Sequence, residues 1–211
     1  MADIASIVLA WILWPIVILL LYVRFVVSFV VCLPWLLYAL SQGKGFDDFI
    51  GLWSVMEKAP FGLGKYVYTG FTGFFSPNNC LFTPVIMKLN ANVCVVSQSN
   101  YFWHRNPFGS MHAICITNTA EFCSALAMLA AFQAMKNVRG IVSSIEVNFH
   151  AKCKGEARAV LELDPKLIKE DTKGNSTWVN KINVFDPKGT LVADIVVNWS
   201  LQYKDRVKAK K

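Results

Sequence analysis

A chain of 211 residues has room for a membrane segment plus one compact domain of roughly 150 residues, and not for two large soluble domains. Apolar residues make up 55% of it and the mean hydropathy is +0.41, with the excess gathered at the start, where Asp3 and Arg24 are the only charges before Lys44. The net charge of +7 is explained by a basic domain beside anionic lipid headgroups, and nucleic acid is not an expected partner, because no interleaving of aromatic and basic residues marks a recognition surface.

The run Ile4 to Val23 has Ser6 as its one clearly polar member and is long enough to cross a hydrocarbon core about 30 Å thick. A signal peptide fits poorly: no Lys or Arg precedes the run, and no small-x-small cleavage site precedes Ser41. A second apolar run, Phe25 to Leu40, follows directly, and one helix through both would measure roughly 55 Å. Nothing between Tyr22 and Val26 resembles a turn, so the expectation is one span, Arg24 snorkelling to the headgroups, then an interfacial stretch begun by a break at Pro34. The composition changes at Ser41 to Gly45, which makes 1–43 the N-terminal transmembrane and interfacial anchor. Arg24 is the first of the 21 Lys and Arg residues. The positive-inside tendency therefore puts the C-terminal domain on the cytosolic or matrix side, with the mitochondrial inner membrane one candidate.

Residues 44–83, rich in Gly, aromatic residues and Pro with short apolar pieces such as Phe49 to Met56, read as a connector made of a short amphipathic helix and then a loop-rich stretch. After Pro84 the pattern sharpens. Val85 to Leu89 and Ala91 to Ser99 are Val-rich and strand-like. Ser110 to Met135, rich in Ala, Leu and Met, predicts a long helix capped by Ser110 and stopped by Lys136, Asn137 and Gly140. Four more strands are expected at Ile141 to Ala151, Glu156 to Leu163, Thr177 to Phe185 and Leu191 to Tyr203, the last two joined by the turn Asp186-Pro-Lys-Gly189. Alternation in Ile145 to His150 and Trp178 to Val184 says that these strands bury one face. The fold class is α+β, a domain at 84–204 in which an antiparallel sheet curls around one long helix. Residues 205–211 are a solvated basic tail. Six cysteines, at 32, 80, 94, 115, 123 and 153, have no CxxC or Cys/His spacing, so free thiols and no metal are expected.

The most informative stretch is Asn106-Pro-Phe-Gly-Ser-Met-His112-Ala-Ile-Cys-Ile-Thr-Asn-Thr-Ala-Glu121. Glu121 sits where apolar residues are expected. Burial raises a carboxyl pKa toward a range useful for acid/base work, although a core glutamate satisfied by an amide or a Lys would look the same in sequence. His112, at the helix start, could hold the preceding loop, and Asn106 before Pro107 reads equally as a turn residue. The amide of Ala113, in the first helical turn and at the positive end of the helix dipole, can polarise a carbonyl.

This stretch resembles the hotdog-fold acyl-CoA thioesterases of the PaaI-like group, whose motif has an Asn, a His six residues on at the helix start, and an acidic residue nine further. Asn106, His112 and Glu121 reproduce both intervals. The resemblance implies a hotdog fold over about Pro84 to Tyr203, acting on acyl-CoA or an acyl-carrier thioester without a cofactor. It implies that the Ala113 amide receives the thioester oxygen while Glu121 attacks the carbonyl or activates water. Asn106, Gly109 and His112 would fix substrate and loop. Eight residues of helix separate Ala113 from Glu121 by about 12 Å, too far for one carbonyl, so the site needs a second hotdog protomer with its helix antiparallel. One departure stands out: the family usually has Gly-Gly after the His, and here Ala113-Ile114 narrows the space above the amide. Two functions follow. One is a membrane-anchored thioesterase close to lipid-like substrates. The other is a non-catalytic hotdog subunit of a larger membrane complex, such as a mitochondrial inner-membrane respiratory or ATP synthase assembly.

Overall fold

A computed structural model describes residues 4–46, 48–76, 79–132, 138–163, 168–170 and 176–203. The side chains of Arg24 and of every residue before Ile12, the stop signals Lys136 and Asn137, and the whole of the basic tail lie outside the described part, so the readings placed on them have no structural counterpart.

The first helix, α1 (Ile4–Ser41), is 38 residues long and passes through both Pro15 and Pro34 without ending. The expected break at Pro34 is therefore absent. Cys32 and Ala39, on either side of it, are buried against the next two helices, and the exposed proline ring lines a groove with Val55 of the second helix. Tertiary packing holds the helix where the missing N–H would let it open. Helix α2 (Phe49–Met56) falls on the apolar piece of the connector and is capped by Asp48, whose carboxylate accepts from Gly51 N at 2.7 Å.

The connector is less loop-like than its composition implies, because Gly64–Phe75 forms helix α3. Its glycines disfavour a helix on propensity, but Val67, Tyr68 and Phe71 fall on one buried face. Tyr68 Oη donates to Phe49 O at 2.7 Å, its ring meets Trp53 edge-on at 5.2 Å, and Thr69 Oγ1 accepts from Ile86 N at 3.1 Å, which stitches α3 to the first strand. A short turn, α4 (Asn79–Phe82), leads into the sheet.

Strands β1 (Val85–Leu89), β2 (Val93–Gln98), β3 (Val138–Phe149), β4 (Ala157–Glu162), β5 (Ile168–Glu170), β6 (Ser176–Phe185) and β7 (Leu191–Tyr203) form an antiparallel sheet in the order β1-β2-β4-β6-β7-β3, with β5 beside β6. β5 had no counterpart among the expected strands. β3 starts before the expected Ile141, because Val138 to Gly140 pair with Leu201 to Tyr203 and the ladder overrides the turn signal. The β6–β7 turn is as expected, with Gly189 N donating to Asp186 O at 3.0 Å and the Asp186 carboxylate accepting from Lys188 N and Thr190 N.

The central helix, α5 (Ala113–Phe132), lies against β2, β4, β6 and β7 on the concave side of the sheet. It is 20 residues long and apolar enough to cross a bilayer, yet it is the core helix, wrapped by the sheet. The inward residues of β6 and β7, among them Trp178, Ile182, Ile195 and Val197, are buried, while their neighbours face water. At the helix centre Ser124 Oγ accepts from Asn180 Nδ2 at 2.8 Å and from Trp199 Nε1 at 2.7 Å, a buried polar node joining α5 to β6 and β7. A single core runs from Cys32 and Ala39 of α1 through α2 and α3 to the sheet.

Candidate functional site

The loop before α5 is closed by its own polar groups. Asn106 Oδ1 accepts from Phe108 N at 3.0 Å and Ser110 N at 3.3 Å, and Asn106 Nδ2 donates to Ser110 Oγ at 2.9 Å. Gly109, at φ +75°, turns the chain so that its amide reaches Asn106 O at 3.0 Å. Asn106 thus spends its side chain on shaping the loop, and Ser110 is part of that network. The helix cap expected at Ser110 is instead made by His112, whose Nδ1 accepts from Ile114 N at 3.2 Å. The His112 amide in turn donates to His104 O at 2.7 Å, and Met111 N donates to Cys153 O at 2.8 Å, which pins the loop to the body of the domain.

His104 drew no attention in the sequence, yet it is buried. Its Nδ1 lies 3.0 Å from Ser99 O and 3.1 Å from Gln98 Nε2, so it donates to the former or accepts from the latter according to its tautomer. The Phe82 ring stacks on it at 6.4 Å. The aromatic run Tyr101 to Trp103 beside it was the available signal for a packed turn rather than an open loop.

Ala113 begins the helix, and its amide has no acceptor among the described residues. The neighbouring Ile114 amide is taken by His112, and the Ile114 side chain is 59% exposed. Glu121 lies two turns on. It is half-buried, and burial raises its carboxyl above the ordinary glutamate value. It shares a face of α5 with Met128, seven residues later, and Met128 packs over Gly140 of β3, where a Cβ would collide with Met128 Sδ. Glu121 therefore looks toward the β3 side of the sheet. There the edge strand keeps Ile145 and Phe149 exposed although both lie in register with the buried residues of β7. The loop residues and Ala113 are gathered at one end of α5, and Glu121 is about 12 Å along it.

The five described cysteines, Cys32, Cys94, Cys115, Cys123 and Cys153, are free and buried, and among the described residues no group of three side chains could hold a metal. A hydrogen bond with Cys123, then burial, raises the Cys94 thiol, while burial raises those of Cys115 and Cys153.

Residues 67–201 match the family described as Domain of unknown function (DUF4442). No curated protein matches the sequence. Among solved structures, a probable thioesterase from Pseudomonas aeruginosa is similar at 19% identity and a TM-score of 0.56, over 69% of this chain and 97% of that one. A thioesterase from Staphylococcus aureus aligns at 16% identity and 0.51, over 60% of this chain and 99% of that one. One from Haemophilus influenzae aligns at 12% and 0.50, over 60% and 83%. These likenesses give the fold, a hotdog.

Proposed function

The chain belongs to the DUF4442 family and has the hotdog fold, and from that premise we propose that it is a membrane-anchored hydrolase of fatty acyl thioesters, working as a pair of protomers. The observation that carries this reading is the half-buried Glu121, its carboxyl raised by desolvation, on the α5 face that looks toward an exposed apolar edge strand. A carboxyl so tuned is suited to take a proton from water or to attack a carbonyl. The Ala113 amide at the start of α5 is suited to the developing oxyanion. Since about 12 Å separates the two within one chain, the reading needs the α5 of a second copy to run antiparallel, bringing the Ala113 of one protomer to the Glu121 of the other. Pairing along β3 would also cover Ile145 and Phe149. Asn106 and His112 act by holding the loop and helix start in place.

The anchor in this proposal is the first part of α1, whose described side chains include exposed Ile12, Ile16, Ile18, Leu19, Leu20 and Tyr22. Such a run is tolerable in lipid and costly in water. The domain would then face the cytosol or a mitochondrial matrix.

The test is hydrolysis by the full-length protein across acyl-CoA chain lengths, with Glu121→Ala alongside and the oligomeric state measured on the same sample. A dimer that turns over at least one chain length, and a loss of about 100-fold or more in Glu121→Ala, is the expected result. No turnover by the unaltered protein would sink the proposal. A second reading, a non-catalytic subunit of a membrane complex, is motivated by Ile114, which follows Ala113 at a position where the family that the sequence resembles usually has glycine. Recovery only within a larger assembly, with no acyl-CoA turnover, would favour it.

A further inference from the structure

The turn between α2 and α3 carries an apolar tip that none of the described residues covers. Phe61 is 97% exposed and sits at φ +58°, a conformation uncommon for a non-glycine residue, followed by Gly62 at +69°. Leu63 and Tyr66, 44% and 50% exposed, continue the apolar surface. The tip is rigidly mounted. Gly64 packs against the end of α2, where a Cβ would collide with Met56 O, and Leu63 N donates to Pro60 O at 3.2 Å. Lysines flank it: Lys58 is exposed, and Lys65 Nζ lies 5.1 Å from the Tyr66 ring centroid. One carboxylate, Glu57, is close in sequence.

The tip has a fixed level along α1. Leu63, Tyr66 and Val67 share a groove of 190 Å³ with Val27 and Val31. About two turns further along α1, Pro34, Trp35 and Tyr38 line a larger one of 570 Å³ with Val55 and Lys58. Aromatic residues and lysines thus converge on one band, the composition found where a protein crosses the membrane–water interface. From Ile4 to the residue before Val27 the helix measures about 34 Å, matched to a hydrocarbon core of about 30 Å.

We infer that the turn from Lys58 to Tyr66 is a second membrane contact, which sets Phe61 and Leu63 into the headgroup boundary of an anionic bilayer with Lys58 and Lys65 toward lipid phosphates. It fixes the exit of α1 from the membrane at the band between Val27 and Tyr38. The inference rests on the membrane reading of α1, and the experiment separates the two. A fluorophore is placed on the full-length chain at Leu19→Cys, Phe61→Cys or Lys188→Cys, the last on the exposed β6–β7 turn. The protein is held in phosphatidylcholine nanodiscs with and without phosphatidylglycerol, and unaltered protein gives the background labelling.

The label at position 19 is expected to be quenched by lipid carrying a nitroxide deep in its acyl chain. The label at 61 is expected to be quenched by a shallow nitroxide, and about fivefold less than that at 188 by aqueous iodide. Lys58→Glu with Lys65→Glu should reduce that protection most in anionic discs. If position 61 is as open to iodide as position 188 while 19 lies in the acyl core, the second contact is refuted and the span stands. If 19 is open to iodide the span is refuted, and the reading at 61 still decides the turn: shallow quenching supports a contact without a span, and aqueous exposure overturns it.

Discussion

Ser124→Ala removes one oxygen from the middle of α5, and the structure says that this should cost more than a hydroxyl usually does. Ser124 and Asn180 are 0% and 2% exposed and Trp199 is 5% exposed, and both Asn180 Nδ2 and Trp199 Nε1 donate to the one Ser124 oxygen. Alanine leaves two buried donors without that acceptor, at about 1–3 kcal/mol each, so the expected loss is about 2–6 kcal/mol. For a chain of this size each kcal/mol moves the melting temperature by roughly 2–4 °C, which puts the shift at roughly 4–24 °C. The assay is thermal unfolding of the full-length protein in one fixed detergent, followed by circular dichroism. A double-mutant cycle with Trp199→Phe sharpens it: phenylalanine removes one stranded donor, so the second substitution should cost less in the Ser124→Ala background than in the unaltered protein. A loss below about 1 kcal/mol, or additivity in the cycle, would refute the claim that the node binds helix to sheet.

Three further outcomes are expected. Burial raises the Glu121 carboxyl, so its folded pKa exceeds its unfolded one: stability from this group is full below the unfolded value and lost as pH rises through the folded one. Glu121→Gln should therefore stabilise the protein at neutral pH and do so less at pH near the ordinary glutamate value, read by unfolding at both, and the acid limb of kcat/KM should lie above that value; a limb at or below it contradicts the burial argument. His112→Ala should destabilise by about 1 kcal/mol through loss of the α5 cap, with His112→Asn retaining most of it in the same melt, since Asn caps well; equal losses would mean that capping is not the role of His112. Ile114→Gly should raise kcat/KM for acyl-CoA by opening the space above the Ala113 amide, and unchanged kinetics would remove Ile114 as the obstruction.

Much of the scaffold could be read from the chain because its signals were local. Trp178 to Val184 alternates within what became β6, and Leu191–Tyr203 follows a strong turn and emerged with its limits intact. The elements that were not legible depend on partners far away in sequence. α3 is helical because Tyr68 and Phe71 are buried and Thr69 is bonded to β1, despite glycines that argue for a loop. α1 passes Pro34 because α2 and α3 hold it. At the candidate site, spacing located Asn106, His112 and Glu121 but not what their atoms engage: Asn106 is committed to its own loop and His112 to the helix cap. Nor did any periodicity single out His104 or Ser124, since a buried polar residue on an apolar stretch announces its partners only in three dimensions.

The continuity of the core has a practical meaning for α1. Cys32 and Ala39 are packed in the same buried cluster as Leu52, Tyr68 and the sheet, so the end of this helix is a wall of the folded body and not a cord leading to it. A chain shortened to begin at Ser41 would uncover that wall and should aggregate, whereas one shortened only to Val27 keeps it. In the proposed membrane reading, this packing makes the angle between the span and the domain a product of folding itself, set once, so that Glu121 keeps a constant orientation to the bilayer.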